Sequence, residues 1–251
     1  MRKLYIYCGA VLCMIAACLV FFSVQPKFFP LEEAPVVRAN PSDNLFSNTH
    51  HVIKPASDSD EIYKKLAEAI KKNKDVYAWI RIPNTVVDYP VIQSPTSDSY
   101  YLRRDINGNY LVAGMIMTEH SYNSITFDDP VTVIYGHNML SGSMFGSLQD
   151  CYSAEGGLEK YKTIEIYLPD KKLEYEVFAA TPYDNRHILY NYDFNNPRVF
   201  SSFFKNVASA RYFNSNINRE AKPSCDDKVL ILSTCLKGDR TRRYLVMAKL
   251  K

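Results

Sequence analysis

Short runs of β-branched and aromatic residues, separated by turn residues, fill most of the chain after Val76. Runs of this length and composition are typical of β-strands, and the Pro, Gly, Asn and Asp clusters between them are typical of turns. Eight strands are predicted: Ala78–Ile82, Val86–Ile92, Gly114–Met117, Thr132–Tyr135, Thr163–Leu168, Lys172–Pro182, Lys228–Ser233 and Arg243–Leu250. Eight strands with few long helices between them indicate a mainly β fold, either a largely antiparallel barrel or a sandwich.

Two helices are predicted beside these strands. The first begins near Asp58, where an Asp-x-x-Glu pattern caps a segment whose apolar residues recur at four-residue spacing. The second lies between the sixth and seventh predicted strands and begins at Asn196-Pro197, a favourable N-cap and first-turn pair. Its apolar face is formed by Phe200, Phe203, Phe204 and Val207. Both helices are expected to pack on the β domain.

The N-terminus contains an apolar run long enough to cross a membrane. Residues 4–24 carry no charge, and a helix of that length at about 1.5 Å per residue spans a hydrocarbon core of about 30 Å. Residues 1–3 include two basic side chains, so the positive-inside rule makes them a cytoplasmic stub and exports the rest. We interpret 4–24 as a transmembrane signal-anchor rather than a cleaved signal peptide, because no A-x-A-like site follows it. Residues 25–56 then form an extracellular linker to a domain at 57–251.

Charge and cysteine content exclude several classes of protein. The formal net charge is only +3 and no stripe of Lys or Arg is present, so nucleic-acid binding is not expected. Three of the six cysteines lie within residues 4–24. The others, Cys151, Cys225 and Cys235, are odd in number and contain no CxxC pair, so at least one thiol is free and a zinc site has no support. The spacing leaves open whether Cys151 and Cys225 form a disulfide.

Cys235, His137 and Arg243 have the chemistry and the placement that acyl transfer requires. Cys235 ends an apolar run and precedes a turn, which places its thiol at the rim of the predicted sheet. Arg243 opens the next strand after a short connection, so the two strands are expected to be neighbours. His137 lies in the turn after Thr132–Tyr135. A thiolate nucleophile, an imidazolium that protonates a leaving amine and a cation that stabilises an oxyanion indicate a cysteine acyltransferase or protease.

Each of these residues also has an ordinary structural interpretation. A free cysteine is more often a small buried hydrophobe than a nucleophile, and a histidine in a turn is more often a solvated surface residue. The sequence alone does not bring the three side chains together. Arg242 directly precedes Arg243, and because side chains alternate along a strand, only one of the two can point towards Cys235.

Five segments resemble motifs of class B sortases and occur in that family's order. They are Asp75–Thr85, Asp88–Val91, Val133–Gly146, Leu232–Cys235 and Arg243–Ala248. The fourth is similar to the Leu-x-Thr-Cys signature, the third to the segment of the catalytic histidine, and the fifth to the arginine strand. The likeness extends over residues 62–251.

This resemblance implies an eight-stranded sortase-type β-barrel with N-terminal helices and a helix inserted between strands 6 and 7. It implies Cys235 as the nucleophile, His137 as the general acid/base and Arg243 as the oxyanion and substrate stabiliser. Ser233 precedes the Thr-Cys pair and is therefore a candidate residue of the substrate groove. The family usually has Thr where this chain has Ile231, a difference expected to affect strand packing more than chemistry. The register of the arginine strand favours Arg243 over Arg242.

The resemblance also implies partners. Sortases cleave a sorting motif near the C-terminus of a secreted surface protein, hold the acyl chain as a thioester and pass it to an amine of peptidoglycan or of its lipid-linked precursor. No cofactor and no metal are expected. Three alternatives stay open: a secreted cysteine peptidase that uses water, a pilin-polymerising sortase, and an inactive membrane-tethered binding or scaffold domain.

Overall fold

The computed structural model describes residues 58–251. The predicted cytoplasmic stub at residues 1–3, the predicted signal-anchor at 4–24 and the predicted linker at 25–56 lie outside the described residues. Within 58–251, no helix combines the length and the apolar character needed to cross a bilayer.

Five helices and nine strands make up the described part of the chain. The helices are α1 (Asp58–Lys72), α2 (Leu148–Ser153), α3 (Gly157–Lys160), α4 (Ile188–Asn191) and α5 (Pro197–Ala208). The strands are β1 (Val76–Arg81), β2 (Asp88–Ile92), β3 (Ile116–Met117), β4 (Val131–Tyr135), β5 (Thr163–Tyr167), β6 (Lys172–Tyr183), β7 (Asn216–Ile217), β8 (Val229–Leu236) and β9 (Asp239–Leu250). A 3₁₀ turn, Tyr100–Arg103, lies between β2 and β3.

Eight of the strands close into a barrel. The strand order is β5-β1-β2-β3-β4-β8-β9-β6, and β6 pairs back to β5. The pairs β2–β3 and β4–β8 are parallel and the other pairs are antiparallel. The barrel predicted from the sequence is confirmed, with a mixed sheet. The ninth strand, β7, was not predicted; it pairs with the second half of β6.

Two predicted strands are longer in the structure and meet in a hairpin. The predicted strand that ended at Ser233 continues as β8 to Leu236, and the strand predicted to open at Arg243 begins at Asp239. Gly238 lies in the turn with a φ of 85°, a left-handed value that glycine adopts without a Cβ penalty. Cys235 therefore lies inside a strand, one residue before its end.

The apolar residues form layers inside and outside the barrel. Ile80, Val91, Ile134 and Leu232 are among the fully buried residues of the interior. On the outside, α5 packs its phenylalanines against Val133, Ile231 and Met247. Asn196 caps α5 by accepting a hydrogen bond from the Arg198 amide at 3.0 Å, so the predicted inserted helix is confirmed. The helix predicted near Asp58 is α1, which buries Ile62 and Leu66.

Candidate active site

The parallel pair β4–β8 brings the histidine segment and the cysteine strand to one edge of the barrel. Tyr135 lies opposite Ser233 in the register, and the Gly136 amide extends the ladder by donating to the Ser233 carbonyl at 3.1 Å. One step further, Asn138 Nδ2 donates to the Cys235 carbonyl at 2.8 Å. Because parallel strands end at the same edge, the residues that follow β4 lie beside the end of β8.

The hairpin β8–β9 places Arg243 next to Cys235. The two residues are paired across the hairpin, and Arg243 Nη1 lies 3.8 Å from Cys235 Sγ. The same nitrogen donates to the carbonyls of Arg240 at 3.2 Å and Arg242 at 3.3 Å, which fixes the guanidinium over the thiol. The Arg242 side chain instead stacks on the Tyr212 ring, 4.8 Å from its centroid. Of the two neighbouring arginines, only Arg243 contacts the thiol.

The His137 ring is held by the 3₁₀ turn between β2 and β3. His137 Nε2 lies 2.8 Å from the Leu102 carbonyl oxygen. A carbonyl oxygen only accepts hydrogen bonds, so this contact assigns the proton to Nε2 and leaves Nδ1 unprotonated in the neutral ring. The preceding residue, Gly136, packs closely, because a Cβ there would lie 2.6 Å from side-chain carbon atoms of Ile116 and Phe145 and would displace them.

A cavity of about 350 Å³ joins these residues. His137, Cys235, Arg243 and the predicted substrate residue Ser233 all line it. Its remaining walls are formed by Leu102, Met115, Met117, Glu119, Tyr135, Gly136, Asn185, Arg186, His187, Ile188 and Thr234. The cavity thus combines a thiol, an imidazole and a guanidinium with the mixed apolar and polar walls expected of a peptide-binding site.

Glu119 and His187 are members of this cavity that the sequence did not indicate. His187 Nδ1 accepts a hydrogen bond from the Tyr190 amide at 3.1 Å, so Nε2 carries the proton and donates to Glu119 Oε1 at 3.0 Å. The pair ties α4 to the segment after β3. Burial, together with the Glu119 carboxylate, raises the pKa of Tyr135 well above its usual range. No local motif marks the pair, because 68 residues separate its members.

The three cysteines of the described residues are free thiols. Neither Cys151 nor Cys225 forms a disulfide, which answers the question that their spacing left open. Burial raises the pKa of the Cys151 thiol, whereas Cys225 is exposed. Among residues 58–251, no group of three or more His, Cys, Asp or Glu side chains is arranged to hold a metal ion.

Comparisons with known proteins agree with this architecture. The family model described as "Sortase domain" matches residues 80–251. Sortase B of Listeria monocytogenes serovar 1/2a is 31% identical over 175 residues, which cover 70% of this chain and 68% of that protein. Sortase B of Staphylococcus aureus is 30% identical over 186 residues, which cover 73% of each protein.

A solved structure extends the likeness to three dimensions. The Staphylococcus aureus sortase B–substrate complex matches with a TM-score of 0.64 at 27% identity, covering 75% of this chain and 85% of that one. Most of the barrel is therefore matched by sequence as well as by fold. The chain belongs to the sortase family of cysteine transpeptidases, and within that family to class B.

Proposed function

We propose that this chain cleaves a C-terminal sorting motif of secreted surface proteins and transfers the acyl chain to an amine of the cell wall. In this proposal Cys235 is the nucleophile, His137 the general acid/base and Arg243 the group that stabilises the oxyanion. The observation that carries it is the Arg243 guanidinium, 3.8 Å from the Cys235 sulfur in a cavity that His137 also lines.

The first half-reaction forms the thioester. The Cys235 thiolate attacks the carbonyl carbon of the scissile peptide, and the carbonyl oxygen becomes an oxyanion. Arg243 Nη1 is engaged by two backbone carbonyls and the sulfur, so Nε and Nη2 are the donors available to that oxyanion. The C–N bond then breaks, His137 gives its proton to the leaving amine, and the acyl group stays on sulfur.

The second half-reaction transfers the acyl group. An amine of peptidoglycan or of its lipid-linked precursor attacks the thioester carbonyl, loses a proton to His137 and expels the Cys235 thiolate as the C–S bond breaks. The related Staphylococcus aureus sortase B has been solved as a substrate complex, which supports the proposal that this chain also binds a substrate. Ser233, 5% exposed in the cavity wall, is proposed to contact that substrate.

The tautomer of His137 assigns the proton path. Because Nε2 donates to the Leu102 carbonyl, it keeps its proton through both half-reactions. Nδ1 is then the atom that takes a proton from the thiol or from the incoming amine and returns it to the leaving group. The Leu102 carbonyl orients the ring as the orienting group of a catalytic triad does.

We further propose that the reaction takes place outside the cell, at the membrane surface. The support for this placement is the uncharged run at residues 4–24 behind two basic residues. The catalytic domain would then follow the signal-anchor through the linker at residues 25–56 and be exposed to secreted proteins and wall precursors.

The decisive experiment is mass spectrometry of the protein and its products with a library of candidate sorting-motif peptides. Each contains a Thr-Gly or Thr-Asn bond, which the resemblance to sortases implies as the cleavage site. We expect an acyl adduct on Cys235 and, with oligoglycine, diaminopimelate or peptidyl-lysine amines added, a new amide product. The Cys235→Ala variant should form no adduct, and Cys225→Ala, which removes an exposed thiol, should behave as the wild type. Products of hydrolysis alone would identify a cysteine peptidase, and an adduct on Cys235→Ala would contradict the assignment of the nucleophile.

A further inference from the structure

A second cavity lies beside the catalytic one. Its volume is about 450 Å³, and it is formed by the end of β6, the C-terminal half of α5 and the residues that follow α5. Arg186 lines both cavities. None of the residues that line the second cavity is a cysteine, so the chemistry assigned to Cys235 does not account for it.

Strand β9 also connects the two sites. Side chains alternate along a strand, so consecutive arginines point to opposite faces. Arg243 faces the Cys235 thiol, whereas Arg242 stacks on Tyr212, a lining residue of the second cavity. Two neighbouring residues of β9 therefore face the two cavities: Arg243, the proposed oxyanion group, lines the catalytic cavity, and Arg242 contacts a wall residue of the second.

Two cations at the second cavity form no direct ion pair with any described residue, although Arg242 lies close enough to Asp184 and Asp239 to help lower the pKa of both carboxyl groups. Within residues 58–251, neither Arg211 nor Arg242 has an Asp or Glu oxygen within 4.0 Å. Asp184 is the acidic residue among those that line the cavity, and it is bound by Arg186 through contacts of 2.6–3.0 Å.

The sequence shows the same excess. Residues 198–243 contain ten basic and four acidic side chains, whereas the whole chain has 30 and 27. These basic residues lie in α5, in the segment that follows it and in the β8–β9 hairpin. Two of them are at the second cavity: Arg211 lines it, and Arg242 stacks on its lining residue Tyr212. A local excess of one sign raises the concentration of a ligand of the opposite sign.

The walls add hydrogen-bond donors. The Tyr183 hydroxyl donates to the Tyr192 hydroxyl at 3.3 Å, so the Tyr192 O–H group is the phenol donor left for a ligand. The Arg186 guanidinium lies 5.8 Å and 5.9 Å from the two ring centroids. Burial and the hydrogen bond to Tyr192 raise the pKa of Tyr183 well above its usual range. Guanidinium groups and protonated phenols are suited to a carboxylate, which arginine binds through parallel N–H donors.

We propose that this second cavity is the acceptor subsite and binds a carboxylate carried by the peptide whose amine attacks the thioester. The inference rests on the proposed function. Arg211 and Arg242 supply the charge, and Arg186, held by Asp184, marks the passage between carboxylate and thioester. The site acts on the second half-reaction only, because the acyl donor is already bound to Cys235 when the acceptor arrives.

The test compares triglycine with triglycine amide as acceptors for the full-length protein in detergent, acylated by the most reactive peptide of the library. The measured quantity is the ratio of amide product to hydrolysis product. We expect the wild type to prefer the acid over the amide by about three- to tenfold at low salt, the size that two partly exposed charge pairs provide. Higher ionic strength should reduce this preference, since salt screens exposed charges.

The variant Arg211→Gln/Arg242→Gln should lose the preference, while Arg198→Gln, an exposed change at the other end of α5, should retain it. Comparing acid with amide in each variant cancels the difference in intrinsic reactivity of the two amines. Thermal unfolding checks that the double variant is folded. Its rate of thioester formation should equal that of the wild type.

Two results would overturn the acceptor subsite: a wild type without acid preference, or a double variant that keeps it. A slower thioester step in the double variant would show that the cavity serves the acyl donor instead, which also contradicts the inference. Failure of the wild type to form any thioester would refute the proposed function itself, and the inference with it.

Discussion

Tyr101 connects the stability of the domain to the geometry of its proposed catalytic histidine. The Tyr101 hydroxyl donates to Asp75 Oδ2 at 2.7 Å and accepts from Asn73 Nδ2 at 2.9 Å. These bonds hold the 3₁₀ turn that contains both Tyr101 and Leu102. The carbonyl of Leu102 is the group that orients His137. The substitution Tyr101→Phe removes only the hydroxyl, so its effect isolates this network.

The magnitude follows from burial and charge. Tyr101 is 3% exposed, and the partner of its hydroxyl is a carboxylate, so the lost hydrogen bond is expected to cost about 2 kcal/mol of unfolding free energy. Burial is the largest cause, and the hydrogen bond to the Asp75 carboxylate the second, of a rise in the pKa of Tyr101 to about 12. A folded-state pKa above the unfolded value of about 10 means that the hydroxyl stabilises the fold fully below pH 10. The contribution is then lost as the pH rises towards 12.

Urea unfolding followed by circular dichroism measures this effect. The free-energy difference between wild type and Tyr101→Phe should be about 2 kcal/mol at pH 7 and should shrink between about pH 10 and pH 12. Tyr110→Phe is the matched control, because Tyr110 is 70% exposed in the same connection, and its change should lie within about 0.5 kcal/mol. A difference for Tyr101→Phe that is no larger than this control, or that does not change with pH, would refute the reasoning.

The same variant tests whether the turn positions His137. At temperatures where both proteins are fully folded, we expect Tyr101→Phe to lower kcat by about tenfold, with little change in KM, because the Leu102 carbonyl no longer holds the ring in one orientation. The double variant with Asp75→Asn should show an effect on stability smaller than the sum of the two single changes, as for any pair in direct contact. If stability falls but kcat is unchanged, the Tyr101 hydrogen bonds stabilise the fold without positioning His137.

Three further changes test the site and its surroundings. Gly136→Ala places a Cβ 2.6 Å from the Phe145 ring, so it should cost about 1–3 kcal/mol in thermal unfolding and displace the adjacent histidine; a fully active, equally stable variant would contradict this. Arg243→Lys should lower kcat by about 10²–10³, because one ammonium cannot replace the forked guanidinium, and a loss below about tenfold would remove its role. Because burial raises the pKa of Cys151, iodoacetamide at pH 7.5 should alkylate it much more slowly than the exposed Cys225, and equal rates by peptide mapping would contradict that burial.

The strands of five or more residues that are rich in apolar, β-branched and aromatic residues were predictable, whereas the two-residue strand β7 was not. Runs such as Thr163–Leu168 and Lys172–Pro182 lie within one residue of β5 and β6. In β5 the buried Ile164 and Ile166 alternate with less buried polar residues, and the second half of β6 is an almost continuous buried run. Strand β7 has two residues, Asn216 and Ile217, and exists because β6 offers it a free edge near Ala179. Two residues contain no periodicity, so this strand depends on tertiary context alone.

The inserted helix was predictable for a different reason. Asn196-Pro197 fixes its start chemically, and the spacing of its phenylalanines fixes the face that is buried. What the sequence did not reveal is the surface that this face covers, because the residues it contacts on β4, β8 and β9 lie far away in the chain. The second cavity, which α5 helps to form, was not predictable for the same reason.

The candidate site combines local and long-range information. Cys235 and Arg243 lie eight residues apart, so a single hairpin register decides their contact, and strand alternation with that register separates Arg243 from Arg242. His137 reaches the site only through the pairing of β4 with β8, which no local pattern encodes. The Leu102 carbonyl contact is a backbone interaction and leaves no trace in residue type.

Two strand pairings of opposite sense explain why these three side chains meet. Because β4 and β8 are parallel neighbours, both strands end at the same edge of the barrel. The histidine segment that follows β4 therefore lies beside Cys235. The antiparallel hairpin then returns Arg243 to that edge. Because side chains alternate, a slip of one residue in either register would turn Cys235 or Arg243 to the opposite face. The buried alternation of Leu230, Leu232 and Ile231 between the barrel interior and the α5 surface prevents such a slip, so the packing of the core is what holds the proposed chemistry in register.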